Sequence, residues 1–306
     1  MRTTRNIVFL QPISHVKTAF MKTISYIAAI FFLFLSSHLP AQTKRALVIG
    51  LGEQKDKNWA KINGDKDVRY VKDMLTRAGY DELDTLVNEE ATKAGIVAAF
   101  HDLAAKCGKG DVVYIHFSGH GQQVTDVNGD ENDAWDEAWI PYDAYVEYGD
   151  MDQGEKHLVD DEINVLLYAI RDKIGDEGAL LVVVDACHSG GSSSSRSAAI
   201  KEGNAVRGID KRFVIPTTEK TRTAPDSEPW LTLSACADYQ SNFELKSPQV
   251  GKLTYALYSV SGKGVVTMDS IVGFMKSLRS DRRSSNVQTP VLTGDATKYE
   301  LSKILQ

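Results

Sequence analysis

The chain has 306 residues, of which 42% are hydrophobic and 25% charged, and 35 Lys and Arg against 41 Asp and Glu give a net charge of −6. Such a chain can bury a sizeable core. An acidic balance argues against a nucleic-acid partner, which calls for a basic surface. Three cysteines in 306 residues exclude a disulfide-dense scaffold, and their wide separation excludes a zinc module of the CxxC kind; they are Cys107, Cys187 and Cys236.

The N-terminal segment has the pattern of an export signal. Residues 26–35 are an apolar run, preceded by Lys17 and Lys22 and followed by a short stretch that ends at Ala41. The run is shorter than the about 20 residues that cross a bilayer, and its flanks are typical of a secretory signal peptide; a buried core helix is the alternative. We predict that 1–41 is an N-terminal extension plus signal peptide cleaved near Ala41. The mature chain would then be secreted or periplasmic, without a membrane span.

Beyond this leader, apolar runs alternate with amphipathic stretches. The runs predict strands over 45–51, 84–87, 111–117, 179–184 and 230–234. Apolar residues at helical spacing predict helices over 65–78, 92–106, 161–174 and 267–278. Near-continuous apolar strands separated by helices indicate an α/β fold with a mostly parallel central sheet and helices on both faces.

The alternation stops at residues 189–229, which begin with a serine-rich stretch and continue with scattered basic residues. Loops of this length are usually functional or disordered. We therefore interpret 42–306 as a single domain with a flexible linker at about 191–229.

Two motifs give weak signals. Gly50 and Gly52 follow the first strand, but Lys55 stands where a dinucleotide fingerprint needs its third glycine. Residues 126–137 space their acids as an EF-hand loop does, but Glu131 stands where the sharp turn of that loop requires glycine, and the flanking segments are strand-like. A solvated acidic loop is favoured over an EF-hand.

A stronger signal stands at the ends of two predicted strands. His120 lies in FSGHG after the strand over 111–117, and Cys187 lies in DACHSG after the strand over 179–184. Ligands of open parallel sheets bind at the carboxyl ends of the strands. A thiolate is a strong nucleophile when an imidazole lowers its pKa and then protonates the leaving amine. The pattern favours nucleophilic cysteine catalysis over a buried structural cysteine with a core histidine; Cys107 and Cys236 are interpreted as structural.

With these two motifs the chain resembles the caspase-like cysteine peptidases. It is more similar to the metacaspases and their bacterial relatives than to animal caspases, because Asp185 stands two residues before the cysteine in place of a QAC-type motif. The resemblance covers roughly residues 44–294 and implies a caspase-like three-layer sandwich.

The resemblance also implies roles for individual residues. Cys187 is the nucleophile, His120 is the general acid/base, and the backbone amides of Gly121 and Cys187 form the oxyanion hole. Cleavage follows Arg or Lys, held by an acidic pocket at Asp67, Ser118 and Asp185, with Asp238 lining the cleft.

The resemblance implies an optional metal as well. Some metacaspases bind calcium through an aspartate pair that matches Asp160 and Asp161. A further acid of the family falls on Ser194 here, so the site is incomplete. We expect no required cofactor, with calcium as the one candidate ion.

Together these features predict an endopeptidase that cuts protein or peptide substrates after Arg in preference to Lys, because a buried carboxylate pair suits a guanidinium. Self-cleavage is expected in the linker, after Arg196, Lys201, Arg207 or Arg212. Two alternatives stay open. One is caspase-like cleavage after Asp, which needs a basic pocket; the other is a catalytically silent caspase-fold binding module.

Overall fold

The computed structural model describes residues 42–131, 133–187, 205–217, 228–237, 240–278, 288–295 and 299–306. The expected leader at 1–41 lies outside this part of the chain. No helix within it is long and apolar enough to cross a membrane. Residues 42–306 group into one unit by their contacts.

The core of this unit is a six-stranded sheet with the order β11-β8-β7-β3-β1-β2. Each neighbouring pair is parallel except β11 with β8, which is antiparallel. The mostly parallel sheet predicted from the sequence is thereby confirmed. The strands are β1 (Lys44–Gly50), β2 (Glu82–Val87), β3 (Val112–Ser118), β7 (Ala179–Asp185), β8 (Leu231–Ser234) and β11 (Val291–Gly294).

Helices cover both faces of this sheet, which confirms the three-layer sandwich. One face packs against α1 (Gly64–Arg77), α4 (Lys252–Ser261), α5 (Met268–Ser277) and α6 (Leu301–Leu305). The other face packs against α2 (Lys93–Lys106) and α3 (Asp160–Ile174).

Strand β3 shows why the sequence of a central strand is mostly apolar, with His116 and Ser118 as its polar residues. All seven of its residues are buried. Tyr114 belongs to the hydrophobic cluster on one face, while Ile115 and Phe117 belong to the cluster on the other. Since successive side chains of a strand point to opposite faces, a strand covered on both sides needs apolar residues at almost every position.

Two smaller strand groups complete the fold. A three-stranded antiparallel sheet contains β4 (Gly121–Thr125), β5 (Trp135–Trp139) and β6 (Leu158–Val159), and a hairpin contains β9 (Glu244–Lys246) and β10 (Gln249–Gly251). The acidic segment over 126–137 therefore begins directly after β4 and runs into β5, so it connects two paired strands rather than two helices, as its strand-like flanks indicated.

The linker differs from the expectation over part of its length. Residues 205–217 do not lie free in solvent: Arg207 and Phe213 are both fully buried. Backbone hydrogen bonds tie Phe213 to β4, from its amide to Gln123 and from Thr125 to its carbonyl, at 2.8 and 3.0 Å. A buried ion pair of Arg207 and the buried ring of Phe213 therefore hold this part of the predicted linker against the domain. Residues 188–204 and 218–227 lie outside the described part.

Candidate active site

The sheet brings the two candidate catalytic residues together. Strands β3 and β7 are neighbours, and Ser118 pairs with Asp185 at their ends, so the residues that follow start from the same level. Both His120 and Cys187 are buried. The backbones also approach closely: a Cβ atom at Gly121 would lie 2.1 Å from the Cys187 carbonyl oxygen, so this position has room only for glycine.

A loop after β1 fixes the orientation of the imidazole. Nε2 of His120 lies 2.7 Å from the carbonyl oxygen of Ala60. A carbonyl only accepts, so Nε2 carries the proton, and Nδ1 is the basic nitrogen of the neutral ring. The indole of Trp59 stacks on the imidazole with ring centroids 5.0 Å apart, and its Nε1 donates to the carbonyl of Ala144 at 3.2 Å. Trp59 and Ala60 were not predicted from the sequence, because no motif marks them.

The thiol of Cys187 lies 3.6 Å from the carbonyl oxygen of Gln240. The thiol of Cys236 lies 3.4 Å from the same oxygen. Cys236, interpreted as structural, therefore lies beside the candidate nucleophile. All three cysteines are free thiols.

The three predicted pocket residues meet beside these side chains. Asp67 of α1, Ser118 of β3 and Asp185 of β7 are fully buried, and the Ser118 hydroxyl donates to Asp67. The start of α4 supplies further donors: the Gly251 amide bonds Asp67 at 3.0 Å, and the amide and hydroxyl of Thr254 bond Asp185 at 2.9 and 2.6 Å. Amide groups at a helix N-terminus favour negative charge, which stabilises the two carboxylates.

The pocket holds the guanidinium of the chain's own Arg207. Nη1 lies 2.7 Å from a carboxylate oxygen of Asp67 and 3.3 Å from one of Asp185. Nε and Nη2 both lie against one oxygen of Glu244, at 3.0 and 2.9 Å. Glu244 is a pocket residue that sequence reasoning missed, because a single acid in a short strand carries no motif.

The two pocket aspartates respond differently to burial. Burial, only partly offset by the charge of Arg207, raises the pKa of Asp67 to about 6. Burial works in the same direction on Asp185, but the positive charge of Arg207 and hydrogen bonds from Thr254 and Asn242 hold its pKa below the usual value. The positive charge of Arg207 therefore favours the ionised form of both carboxylates.

The backbone around Arg207 lies in the cleft as an added strand. The amide of Cys187 donates to the Arg207 carbonyl at 2.8 Å. The Arg207 amide donates to Asn242 at 3.1 Å, and the Glu244 amide donates to Ala205 at 3.1 Å, so 205–207 runs antiparallel to 242–244. One of the two amides expected to form the oxyanion hole thus already contacts a carbonyl oxygen.

An acidic cluster lies at the other end of β4. Oxygen atoms of Asp126, Asp130 and Asp136 all lie within 4.8 Å of one another. Burial, and to a smaller extent the charges of neighbouring carboxylates, raises the pKa of Asp136 to about 7 and that of Asp160 to about 8. Among the described residues, no donor bonds Oδ1 of Asp130 or Oδ1 of Asp160. Crowded carboxylate oxygens without donors are the ligands that calcium takes.

The metal residues predicted from the sequence lie at the edge of this cluster. Asp160 and Asp161 begin α3, and each has its pKa raised by burial and by acids of the cluster. Two other positions, Ser194 and the cleft residue Asp238, lie outside the described residues.

Comparison with known proteins points to one family. The sequence model of the family described as "Metacaspase, peptidase C14 domain" matches residues 44–194. Metacaspase-1 of Mycosarcoma maydis is 30% identical over 186 residues, which are 55% of this chain and 42% of the relative. Metacaspase-2 of Arabidopsis thaliana is 33% identical over 162 residues, which are 48% of this chain and 34% of the relative. The chain spans less than half the length of these curated relatives.

A solved structure agrees in fold. The crystal structure of protein GSU0716 from Geobacter sulfurreducens superposes with a TM-score of 0.60 at 23% sequence identity. The similarity covers 86% of this chain and 98% of that one. At this identity it supports the fold alone.

Proposed function

We propose that this chain, whose residues 44–194 match the metacaspase family model and which is similar to curated metacaspases, is a cysteine endopeptidase that cuts protein substrates after arginine. Cys187 is the nucleophile and His120 the general acid/base. The acidic pocket of Asp67, Asp185 and Glu244 takes the arginine side chain.

One observation carries the proposal: Arg207 lies in the cleft in the manner of a substrate. Its guanidinium fills the acidic pocket, and its carbonyl oxygen accepts from the Cys187 amide at 2.8 Å. A carbonyl held in this way beside a cysteine is the group that the thiolate attacks.

The steps follow from this arrangement. Nδ1 of His120 takes the thiol proton, and Cys187 Sγ attacks the carbonyl carbon of the arginine. The Cys187 amide stabilises the negative charge on the oxygen. The imidazolium then gives its proton to the leaving amine, the C–N bond breaks, and a thioester forms. Water activated by the neutral imidazole hydrolyses the thioester and restores the thiol.

Glu244 favours arginine over lysine. Its carboxylate oxygen accepts a hydrogen bond from Nε of Arg207 and lies 2.9 Å from Nη2, while Nη1 lies against Asp67 and Asp185. A lysine has a single ammonium group and cannot satisfy both sides of the pocket. Three carboxylates also repel an acidic side chain, which counts against the alternative of cleavage after Asp.

We expect the chain to cut itself after Arg207. Of the two predicted sites in the described part of the chain, Arg207 occupies the pocket, whereas Arg212 is exposed and bonds Gln123. Arg196 and Lys201 lie outside that part. The wild-type chain should yield two fragments on incubation. N-terminal sequencing of the C-terminal fragment should read Gly-Ile-Asp-Lys-Arg from Gly208.

A matched pair of variants tests the site of the cut. Arg207→Gln should leave the chain intact at this bond, since a neutral amide cannot satisfy the acidic pocket. Arg212→Gln should still be cut at Gly208. Cleavage of Arg207→Gln at the same bond and rate would contradict the assignment.

We also propose that calcium binds the acidic cluster of Asp126, Asp130 and Asp136, next to Asp160 and Asp161. The first acid of the cluster, Asp126, comes directly after β4, and β4 binds the backbone of Phe213. A bound ion would therefore lie next to the strand that holds the linker. Millimolar calcium should raise the melting temperature by several degrees, as expected for a ligand well above its Kd. Magnesium at the same concentration should raise it less, because it tolerates fewer geometries.

The control for calcium binding compares Asp130→Asn with Asp84→Asn. Asp84 pairs with Lys106 and does not belong to the cluster. The first substitution should abolish the calcium shift and the second should keep it. An equal shift in both variants would place the ion elsewhere.

For the cellular location, we propose export directed by residues 1–41, which rests on the sequence pattern alone. Fractionation of cells that express the full chain should find the protein outside the cytoplasm, with its N-terminus near Gln42.

For the alternative of a silent binding module, the test is a thiol probe. An inert Cys187 would react with iodoacetamide no faster than free cysteine.

A further inference from the structure

The segment that follows Arg207 is as closely fitted to the cleft as the arginine itself. Gly208 lies against the candidate nucleophile: a Cβ atom at this position would lie 2.7 Å from Cys187 Cβ and 3.3 Å from the carbonyl oxygens of Cys187 and Gly121. Carbon atoms do not approach to 2.7 Å without displacement of one of them. The cleft therefore has no room for a side chain directly after the cut bond.

Five residues further on, Phe213 fills an apolar site. Its side chain is fully buried in a cluster with Trp59, Val124 and Val146. The ring of His157 lies 4.1 Å away, centroid to centroid.

At both anchors the backbone of this segment makes an isolated parallel bridge to β4. Gly208 pairs with Gly121, and Phe213 pairs with Val124. Side chains of β4 bind the intervening residues: the Gln122 amide donates to the Lys211 carbonyl at 2.8 Å, and Arg212 donates to the Gln123 side chain at 3.0 Å. Addition of a strand to a sheet edge is a general mode of peptide recognition.

We propose that this cleft selects its substrates by the residues on both sides of the cut bond, an inference that rests on the proposed function. It takes arginine before the bond, glycine directly after it, and a bulky aromatic residue at the sixth position after it. Gly208 and Phe213 occupy the last two places in the chain's own segment. The substrate class is an extended segment of another protein that can replace 205–215 on β4.

The test uses quenched peptides with the sequence of residues 205–215, cut by the self-cleaved wild-type protein. Alanine in place of the glycine should lower kcat/KM between about tenfold and about a hundredfold, the range that one overpacked carbon atom costs. Alanine in place of the phenylalanine should raise KM about tenfold or more with little change in kcat, since it removes binding and no reacting group. Alanine in place of Val214, whose side chain is 58% exposed, should change neither constant.

The same positions are tested within the chain. Gly208→Ala should slow self-cleavage by a similar factor, and Val214→Ala should not. The inference is overturned if the glycine and phenylalanine peptides are cut within about twofold of the parent peptide while a short arginine peptide confirms activity. If neither the parent nor the short arginine peptide is cut, the proposed function fails, and this inference fails with it.

Discussion

Replacing Cys187 by alanine should abolish cleavage of arginine peptides, with a fall in kcat of about a thousandfold or more. The thiol is the only group in the proposed mechanism that forms a covalent bond with the substrate. The Cys187 amide by itself supplies only part of the stabilisation of the transition state. The variant should also stay uncut when incubated under conditions in which the wild-type chain cleaves itself. Both results are read from initial rates and from a denaturing gel.

The matched control is Cys107→Ala, which removes a buried thiol at the end of α2, on a face of the sheet away from the pocket. Burial raises the pKa of this thiol to about 11, so it stays protonated and unreactive. We expect this variant to keep its activity. A Cys187→Ala protein that retains more than a few per cent of wild-type turnover would show that the nucleophile is another group.

Replacing Asp67 by asparagine should have the second large effect, on binding of arginine. The change keeps the shape of the side chain and an oxygen for the Gly251 amide, but removes the charge that lies 2.7 Å from the guanidinium. Breaking a buried ion pair costs about 3–5 kcal/mol, which corresponds to a fall in kcat/KM of about 150- to about 5,000-fold for arginine peptides.

The same substitution should destabilise the uncut chain, in which Arg207 is already in the pocket. Thermal unfolding of an uncleavable background, Cys187→Ala with and without Asp67→Asn, measures this effect separately from catalysis. Asp84→Asn serves as the control, since its carboxylate is on the surface. Equal kcat/KM for wild type and Asp67→Asn would mean that another pocket takes the arginine.

Much of the fold followed from local sequence. The apolar runs of β1, β3 and β7 predicted buried strands because a strand covered on both faces has to be apolar along its length. His120 and Cys187 were found for a related reason: each follows such a strand within a glycine-flanked motif, at the edge where parallel sheets bind ligands. Periodicity also identified α1, α2, α3 and α5, with ends that differ by one residue. The short strands β4, β5 and β9 carry no such run and were missed.

Only the tertiary structure decided what surrounds the two candidate catalytic residues. Ala60 is 60 positions from His120, and Glu244 is 37 positions from Arg207, so no local pattern links them. The linker illustrates this most clearly, because its polar composition indicated a flexible loop. Burial of Arg207 is favourable only where carboxylates from α1, β7 and β9 converge, and burial of Phe213 only where β4 offers an edge. Whether a charged residue is exposed or buried depends on these distant partners, which the sequence alone does not bring together.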